Sequence, residues 1–312
     1  MSKTSRGLIL GSRGSALALW QANWARSELL GATPGLSVEI LPIKTSGDRI
    51  QDIPLAEVGG KGLFTKELDE ALLDGRIDFA VHSLKDLPAA LPEGIVLTAV
   101  GRREDPRDAL LSGGRRLGEM APGARIGTGS LRRQAQLHRA FPDLEIAPVR
   151  GNVDTRLAKL DRGEFDGIIL AAAGVKRLGH AARITEYIER DVMLPAIGQG
   201  ALAIVCRAAD ENMKTQLEGL DDPPTHQAVL AERALMAELE GGCQAPIAGY
   251  AGIAGDRLVL TGLIASLDGK QIVSDSIRGS RADPLALGHE LGRRLRAAGG
   301  DELLQEILRH GT

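Results

Sequence analysis

Two kinds of residue in this 312-residue chain have the type and setting for chemistry: a thiol on a glycine-rich turn, and arginines beside glycine turns. Cys243 stands in Glu240-Gly241-Gly242-Cys243-Gln244-Ala245-Pro246. Two glycines before it and a proline soon after predict a turn rather than a packed strand. The chain has two cysteines, which gives neither a disulfide framework nor a four-thiolate metal site. A thiol on such a turn can hold an organic group covalently. The competing reading is the ordinary one, a small buried hydrophobe that stays inert unless exposed and electropositive. Cys206 fits that second reading, because Ala201-Leu202-Ala203-Ile204-Val205-Cys206 reads as a buried strand.

Val81-His82-Ser83-Leu84-Lys85-Asp86-Leu87-Pro88 follows a strand pattern, and strand ends are where α/β proteins place active groups. Asp86 can receive a proton or face a developing cation, and Lys85 can bind an anion. A polar loop with a local Lys-Asp pair is the alternative. Ile126-Gly127-Thr128-Gly129-Ser130-Leu131-Arg132-Arg133 is a glycine turn feeding a helix, where free backbone N–H groups favour an anion. Arginine suits paired hydrogen bonds to carboxylate. Val149-Arg150-Gly151-Asn152-Val153-Asp154-Thr155-Arg156, Ala173-Gly174-Val175-Lys176-Arg177 and Gly11-Ser12-Arg13-Gly14-Ser15 repeat the theme. One such arginine is ordinarily a solvated surface group; several at strand ends can line one cleft with positive charge. Gly59-Gly60-Lys61-Gly62 has the composition of a lid or of a plain flexible loop.

Composition narrows the field. Hydrophobic residues make up 43% and charged residues 25%, ordinary for a globular protein. The formal net charge is -3 and aromatics are 3%, so neither a global basic field nor base-stacking surfaces point to nucleic acid. No apolar run is long enough to span a bilayer, and Met1-Ser2-Lys3-Thr4-Ser5-Arg6 leads into Leu8-Ile9-Leu10 without a signal-like h-region. The expectation is a cytoplasmic protein without membrane or nucleic-acid partners. Six scattered histidines lack paired metal-ligand spacing, and neither a Walker loop nor a dinucleotide fingerprint occurs.

The elements that must position these residues alternate between strand and helix. Leu8–Leu10, Val38–Ile43, Ile77–Val81 and Ile95–Val100 read as strands, with helices from Ala16 to about Leu30 and from Lys66 to Leu73. This order predicts a mainly parallel sheet. It restarts near Ala124, with helices at 131–139 and 155–160 and strands at 144–148 and 167–170. Ala201–Cys206 has no local partner and is expected to return to the first sheet. Asp221-Asp222-Pro223-Pro224 reads as a linker. A helix over 225–239, a hairpin centred on Asp268-Gly269 and two further helices follow, as a small α+β domain. The expected fold is α/β: two similar lobes with a central cleft and a small α+β C-terminal domain. The lobes are assigned to 1–101 with 196–219 and to 102–195, and the C-terminal domain to 220–312.

These motifs, in this order, resemble the porphobilinogen deaminase (hydroxymethylbilane synthase) family over nearly the whole chain. The resemblance is carried by Ala18-Leu19-Trp20-Gln21, Gly59-Gly60-Lys61-Gly62-Leu63-Phe64, Val81-His82-Ser83, Lys85-Asp86, Arg103-Glu104-Asp105-Pro106-Arg107-Asp108, Ser130-Leu131-Arg132-Arg133, Arg150-Gly151-Asn152, Lys176-Arg177-Leu178-Gly179, Pro195-Ala196-Ile197-Gly198-Gln199-Gly200 and Glu240-Gly241-Gly242-Cys243-Gln244. It implies periplasmic-binding-protein-like lobes and a monomer. It also implies a transferase that joins four porphobilinogen molecules into hydroxymethylbilane with release of ammonia. Such an enzyme is primed by a dipyrromethane held through a thioether, here to Cys243. By the same resemblance Asp86 is catalytic, and Lys85, Asp86, Ser83, Thr128, Ser130, Arg132, Arg133, Arg150 and Gly151 bind cofactor. Arg13, Ser15, Lys61, Arg156, Arg177 and Gln199 bind substrate. Gly129 replaces the first of two serines usual in relatives, Glu57 stands where some have Lys, and Ser46 where some have Arg. Two other classes compete: a two-lobed carboxylate-binding module without chemistry, and a cysteine-nucleophile hydrolase or acyltransferase, which needs a base for its thiol.

Overall fold

The structure is a computed structural model and describes residues 7–49, 63–239 and 245–310. Cys243, Lys61 and Glu57 lie outside the described residues. The chain forms two compact units. The first comprises 1–50, 60–103 and 201–226; the second comprises 51–59, 104–200 and 227–312.

The first unit holds β1 (Leu8–Ser12), α1 (Ala16–Ala32), β2 (Val38–Pro42), α2 (Ser46–Arg49), α3 (Lys66–Leu73), β3 (Phe79–Ser83) and β4 (Ile95–Gly101). The second opens with β5 (Asp108–Leu111), β6 (Arg125–Gly127), α4 (Leu131–Ala140), β7 (Glu145–Ala147), α5 (Val153–Asp161), β8 (Gly167–Ala171), α6 (Ala172–Arg177) and β9 (Glu186–Ile188). The chain returns to the first unit with β10 (Leu202–Arg207), α7 (Glu211–Leu217) and the start of α8 (Pro223–Glu238). It finishes in the second with β11 (Ile247–Ala254), β12 (Arg257–Ala265), β13 (Ile272–Ser280), α9 (Pro284–Leu295) and α10 (Asp301–His310).

The two large sheets share one topology. Their strand orders are β2-β1-β3-β10-β4 and β7-β6-β8-β5-β9. In each, the first three strands are parallel and the fourth runs antiparallel to both neighbours. That antiparallel strand arrives from the other half of the sequence: β5 after the first unit's strands, β10 after the second unit's. Ala201–Cys206, without a partner nearby in sequence, thus lies between β3 and β4. It is apolar throughout because both faces are covered, by α1 on one side among others.

Local chemistry explains the differences from the sequence pattern. The third strand runs two residues further than its apolar run, because Leu202 and Ala203 of β10 pair with Ser83 and His82. The expected linker at 221–224 is instead a helix start. Asp222 accepts the Thr225 backbone N–H at 3.0 Å and its hydroxyl at 2.6 Å, while Pro223 and Pro224 fill the first turn, where no N–H is needed. The α-helix at Pro284 runs to Leu295 and continues as a π-helical turn over Arg296–Gly300, which kinks at Gly299, where φ is +106°. The antiparallel sheet β11-β12-β13 packs on α8 and α9 around Leu235, Leu258, Leu260, Leu291 and Leu295. At its hairpin Gly269 (φ +70°) approaches α4 so closely that a Cβ would lie 2.1 Å from the Ala135 carbonyl oxygen.

Candidate functional site

Parallel neighbours bring their C-terminal ends to one sheet edge, and in the first unit β1 and β3 are such neighbours. Arg13 and Ser15 follow β1; Ser83 closes β3, and Lys85 and Asp86 lie in the single 3₁₀ turn after it. All five are partly exposed. The Ser15 hydroxyl caps α1, accepting the Ala18 N–H at 3.3 Å. The Ser83 hydroxyl accepts from Gln21 Nε2 of α1 at 2.7 Å, which fixes its direction. The Arg13 guanidinium stacks on the Phe64 ring, 4.2 Å from its centroid. His82, one residue earlier and 5% exposed, is pushed down to about 4 by burial, with the Arg13 charge adding to it, so its imidazole is neutral at physiological pH.

In the second unit the edge formed by β6, β7 and β8 carries the glycine turn, the Arg150 loop and α6. Ser130 precedes α4 and does not cap it with its side chain; its backbone N–H meets the buried Thr128 hydroxyl at 3.3 Å. A Cβ at Gly129 would stand 3.0 Å from the Val149 carbonyl oxygen, so the close approach of the two loops fits glycine there. Gly151 has a φ of +106°, which disfavours a side chain, and Asn152 caps α5 by accepting the Thr155 N–H at 2.9 Å.

Arg132 and Arg133 do not reach outward. Each is 5% exposed, and both meet Asp108, the fully buried first residue of β5. Arg133 donates Nε and Nη2 to Asp108 Oδ1 at 2.9 and 2.7 Å and Nη1 to the Ile169 carbonyl at 3.0 Å. Arg132 Nη1 lies 2.8 Å from Asp108 Oδ2 and 2.7 Å from the Leu194 carbonyl. Burial alone would raise the Asp108 carboxyl; the two guanidiniums overcome it and hold the group far below the usual carboxylate range. Gln199, also fully buried, donates Nε2 to Asp108 Oδ1 at 3.0 Å and to the Pro106 carbonyl at 2.7 Å.

Positive charge in this cluster exceeds negative charge. Arg156 donates Nε to the Gly151 carbonyl at 2.8 Å and is pushed down to about 10 by burial, then by the charges of Arg133 and Arg150. Arg150 Nη2 is buried and has no hydrogen-bond partner among the described residues. Arg132 and Arg133 thus share Asp108, and Arg156 in turn feels the charges of Arg133 and Arg150. Arg177 is separate: it donates to the Gly200 carbonyl at 2.8 Å and is lowered to about 10 by burial, which the Glu104 charge opposes.

Sequence reasoning assigned no role to Asp108, Gln21 or Phe64. A signal existed for the first, since a carboxylate opening the apolar run Asp108-Ala109-Leu110-Leu111 must find a cation once buried. Gln21 and Phe64 stand inside the motifs Ala18–Gln21 and Gly59–Phe64, but nothing in their residue types pointed to Ser83 or Arg13 as partners.

The fold is α/β, with two five-stranded sheets of one topology and a third, three-stranded antiparallel sheet, and the second unit carries a buried arginine cluster after its strand ends. A model of the dipyromethane cofactor binding domain of porphobilinogen deaminase matches residues 8–215, and one of the C-terminal domain of porphobilinogen deaminase matches 226–297. The porphobilinogen deaminase of Trichlorobacter lovleyi is 54% identical over 300 residues, covering 96% of each chain. That of Geobacter sulfurreducens is 53% identical, covering 96% of this chain and 94% of its own. Among solved structures, the periplasmic aliphatic sulphonate binding protein SsuA of Escherichia coli overlaps 76% of this chain and 71% of its own, at 14% identity and a TM-score of 0.41. The chain belongs to the porphobilinogen deaminase family. A dipyrromethane bears carboxylate arms, and the charge excess around Arg133, Arg150 and Arg156, with its buried unpartnered guanidinium nitrogen, fits such a group.

Proposed function

We infer that this chain condenses four porphobilinogen molecules head to tail, with release of ammonia, to give hydroxymethylbilane. The observation that carries the residue assignment is the run of guanidiniums from Arg133, held by Asp108, to Arg156 and Arg150, whose Nη2 is buried without a hydrogen-bond partner among the described residues.

Each porphobilinogen brings an acetate and a propionate, so every addition adds two negative charges to the product. Arg150 and Arg156 receive ligand carboxylates, and Arg132 and Arg133 add charge from behind while Asp108 fixes their planes. At the first unit's sheet edge Arg13 and Lys85 bind further carboxylates, with Ser15 and Ser83 beside them; in the second unit Arg177 does so, with Ser130 and the Gly151 backbone as further polar groups and Thr128 holding the Ser130 N–H from within. Lys61 adds a cation from the Gly-Gly-Lys-Gly segment.

Asp86 is the catalytic residue. As the C–N bond of the substrate breaks, its electron pair leaves with ammonia and an azafulvenium cation remains, conjugated with the pyrrole nitrogen. The Asp86 carboxylate accepts a hydrogen bond from that N–H and stabilises the cation electrostatically. The α-carbon of a terminal pyrrole then forms the new C–C bond and releases its proton. When bound, the dipyrromethane supplies the first attacking pyrrole; Cys243 anchors it through a thioether. The protein acts as a cytoplasmic monomer without nucleic-acid partners, and no helix of the described residues is long and apolar enough to cross a membrane.

Intact-protein mass spectrometry tests the anchor. Active wild-type enzyme carries the extra mass of a dipyrromethane and gives a pyrrole colour reaction; Cys243→Ser loses both. An unmodified mass from active enzyme overturns the thioether.

A further inference from the structure

Glu232 lies on α8, is fully buried and belongs to none of the motifs above. Its carboxylate joins two backbone segments: Oε2 accepts the Gly198 N–H at 2.7 Å and Oε1 the Ala251 N–H of β11 at 2.7 Å. A third bond, from the Gly249 N–H to the Pro195 carbonyl at 3.1 Å, ties the same turn to the same strand. Gly198 is in the left-handed region, φ +72°, and the next residue is Gln199, whose amide reaches Asp108. A continuous path therefore runs from Glu232 through the Gly198-Gln199 turn to Asp108 and so to Arg132 and Arg133.

We propose that Glu232 is a positioning residue for the arginine cluster, acting through Gly198, Gln199 and Asp108. This rests on the reading of that cluster as the carboxylate clamp. Two N–H donors converge on Glu232, and a carboxylate offers an acceptor to each. An amide offers one acceptor and sets an NH₂ group against the other N–H. Glu232→Gln keeps the shape and disturbs one end of the bridge. If the Gly198 turn shifts, the Gln199 amide loses its approach to Asp108 Oδ1, an oxygen it shares with Arg133 Nε and Nη2. The Arg133 plane then follows its only carboxylate among the described residues.

The test compares wild type, Glu232→Gln, Gln199→Leu and the double variant, each as purified holoenzyme. Porphobilinogen KM and kcat, retained cofactor mass, thermal midpoint and exchange of the Arg133 Nε–H by arginine-labelled NMR are measured. Each single variant raises KM about fivefold or more and speeds Nε–H exchange, with kcat changed less than about twofold. The double variant is no worse than the worse single, because both break one path. A Glu232 that serves stability alone lowers the midpoint but leaves KM and exchange unchanged; that result, or multiplying KM effects in the double variant, overturns the proposal. Should Glu232→Gln fail to fold, Gln199→Leu decides, since unchanged KM and exchange there break the path at its centre. Wild-type turnover separates the two readings: without it the clamp's assignment falls, and with it only the relay is at issue.

Discussion

Replacing Asp108 with Asn removes the one carboxylate shared by two buried guanidiniums and leaves the volume nearly unchanged. In the native protein Oδ1 takes three N–H groups, two from Arg133 and one from Gln199, and Oδ2 faces Arg132. Removing one partner of a buried ion pair costs about 3–5 kcal/mol, since the opposite charge stays desolvated. Two features place the cost near the lower figure: Arg133 keeps the Ile169 carbonyl and Arg132 the Leu194 carbonyl. At about 2.1 cal/mol/K of unfolding entropy per residue, 312 residues shift by about 1.5 °C per kcal/mol, so a loss of about 3 kcal/mol lowers the thermal midpoint by about 4–5 °C. The pH dependence follows from the direction of the shift. The folded-state carboxyl titrates below its unfolded value, so its stabilisation is complete above the ordinary carboxylate range and is lost only as pH falls through the folded value. The difference between wild type and Asp108→Asn is therefore constant from about pH 5 to about pH 8. Thermal melts across that range measure it. A midpoint change under about 2 °C would mean that the arginines do not depend on Asp108 for their charge balance.

Two further substitutions follow from individual environments. Asp86→Ala keeps the cofactor mass but lowers hydroxymethylbilane formation by about a hundredfold or more, the scale of losing one transition-state electrostatic partner; near-normal turnover refutes its catalytic role. Asp69, 7% exposed on α3, is pushed up to about 6 by burial, with the nearby Thr65 side chain opposing and the Glu70 charge assisting. Its protonated form is favoured in the fold, so its contribution is full below the unfolded pKa and lost as pH rises through about 6. Asp69→Asn accordingly stabilises by about 1–3 kcal/mol at pH 8 and by little at pH 4, which urea unfolding at the two pH values reads directly.

Much of the first unit was legible because its signals are local. Ser15 caps α1 and the apolar runs at Leu8, Val38 and Ile95 become strands. The crossing strands were harder. Ala201–Cys206 stood out through its length and apolarity, whereas β5 has four residues, begins with Asp108 and follows the polar run 102–107, so nothing marked it as the antiparallel strand of a second sheet. Its partners β8 and β9 begin at residues 167 and 186, and such pairings leave no periodicity within β5 itself. The α8 start was misread for a related reason: consecutive prolines punctuate both linkers and first helical turns, and only the Asp222 bonds to Thr225 decide between them.

The same limit explains why the arginine motifs looked alike in sequence and differ in the fold. Ser130-Leu131-Arg132-Arg133 and Val149-Arg150-Gly151 both place guanidiniums after glycine-rich strand ends, yet the first pair is internally neutralised in part and Arg150 is not. The deciding residue is Asp108, which no spacing rule connects to either motif. Its placement has a consequence for a ligand that grows by two carboxylates per cycle. A cluster neutralised fully within the protein would offer no electrostatic gain to an incoming acid, and one with no internal carboxylate would force Arg132 and Arg133 apart. One fully buried carboxylate anchors Arg132 and Arg133, while Arg150 keeps a buried guanidinium nitrogen without a hydrogen-bond partner among the described residues. Under the role proposed for these arginines, affinity for acidic arms and rigidity of the groups that hold them come from one side chain. On this account Glu232 and Gln199, neither a cation nor a nucleophile, control binding by keeping Asp108 in place.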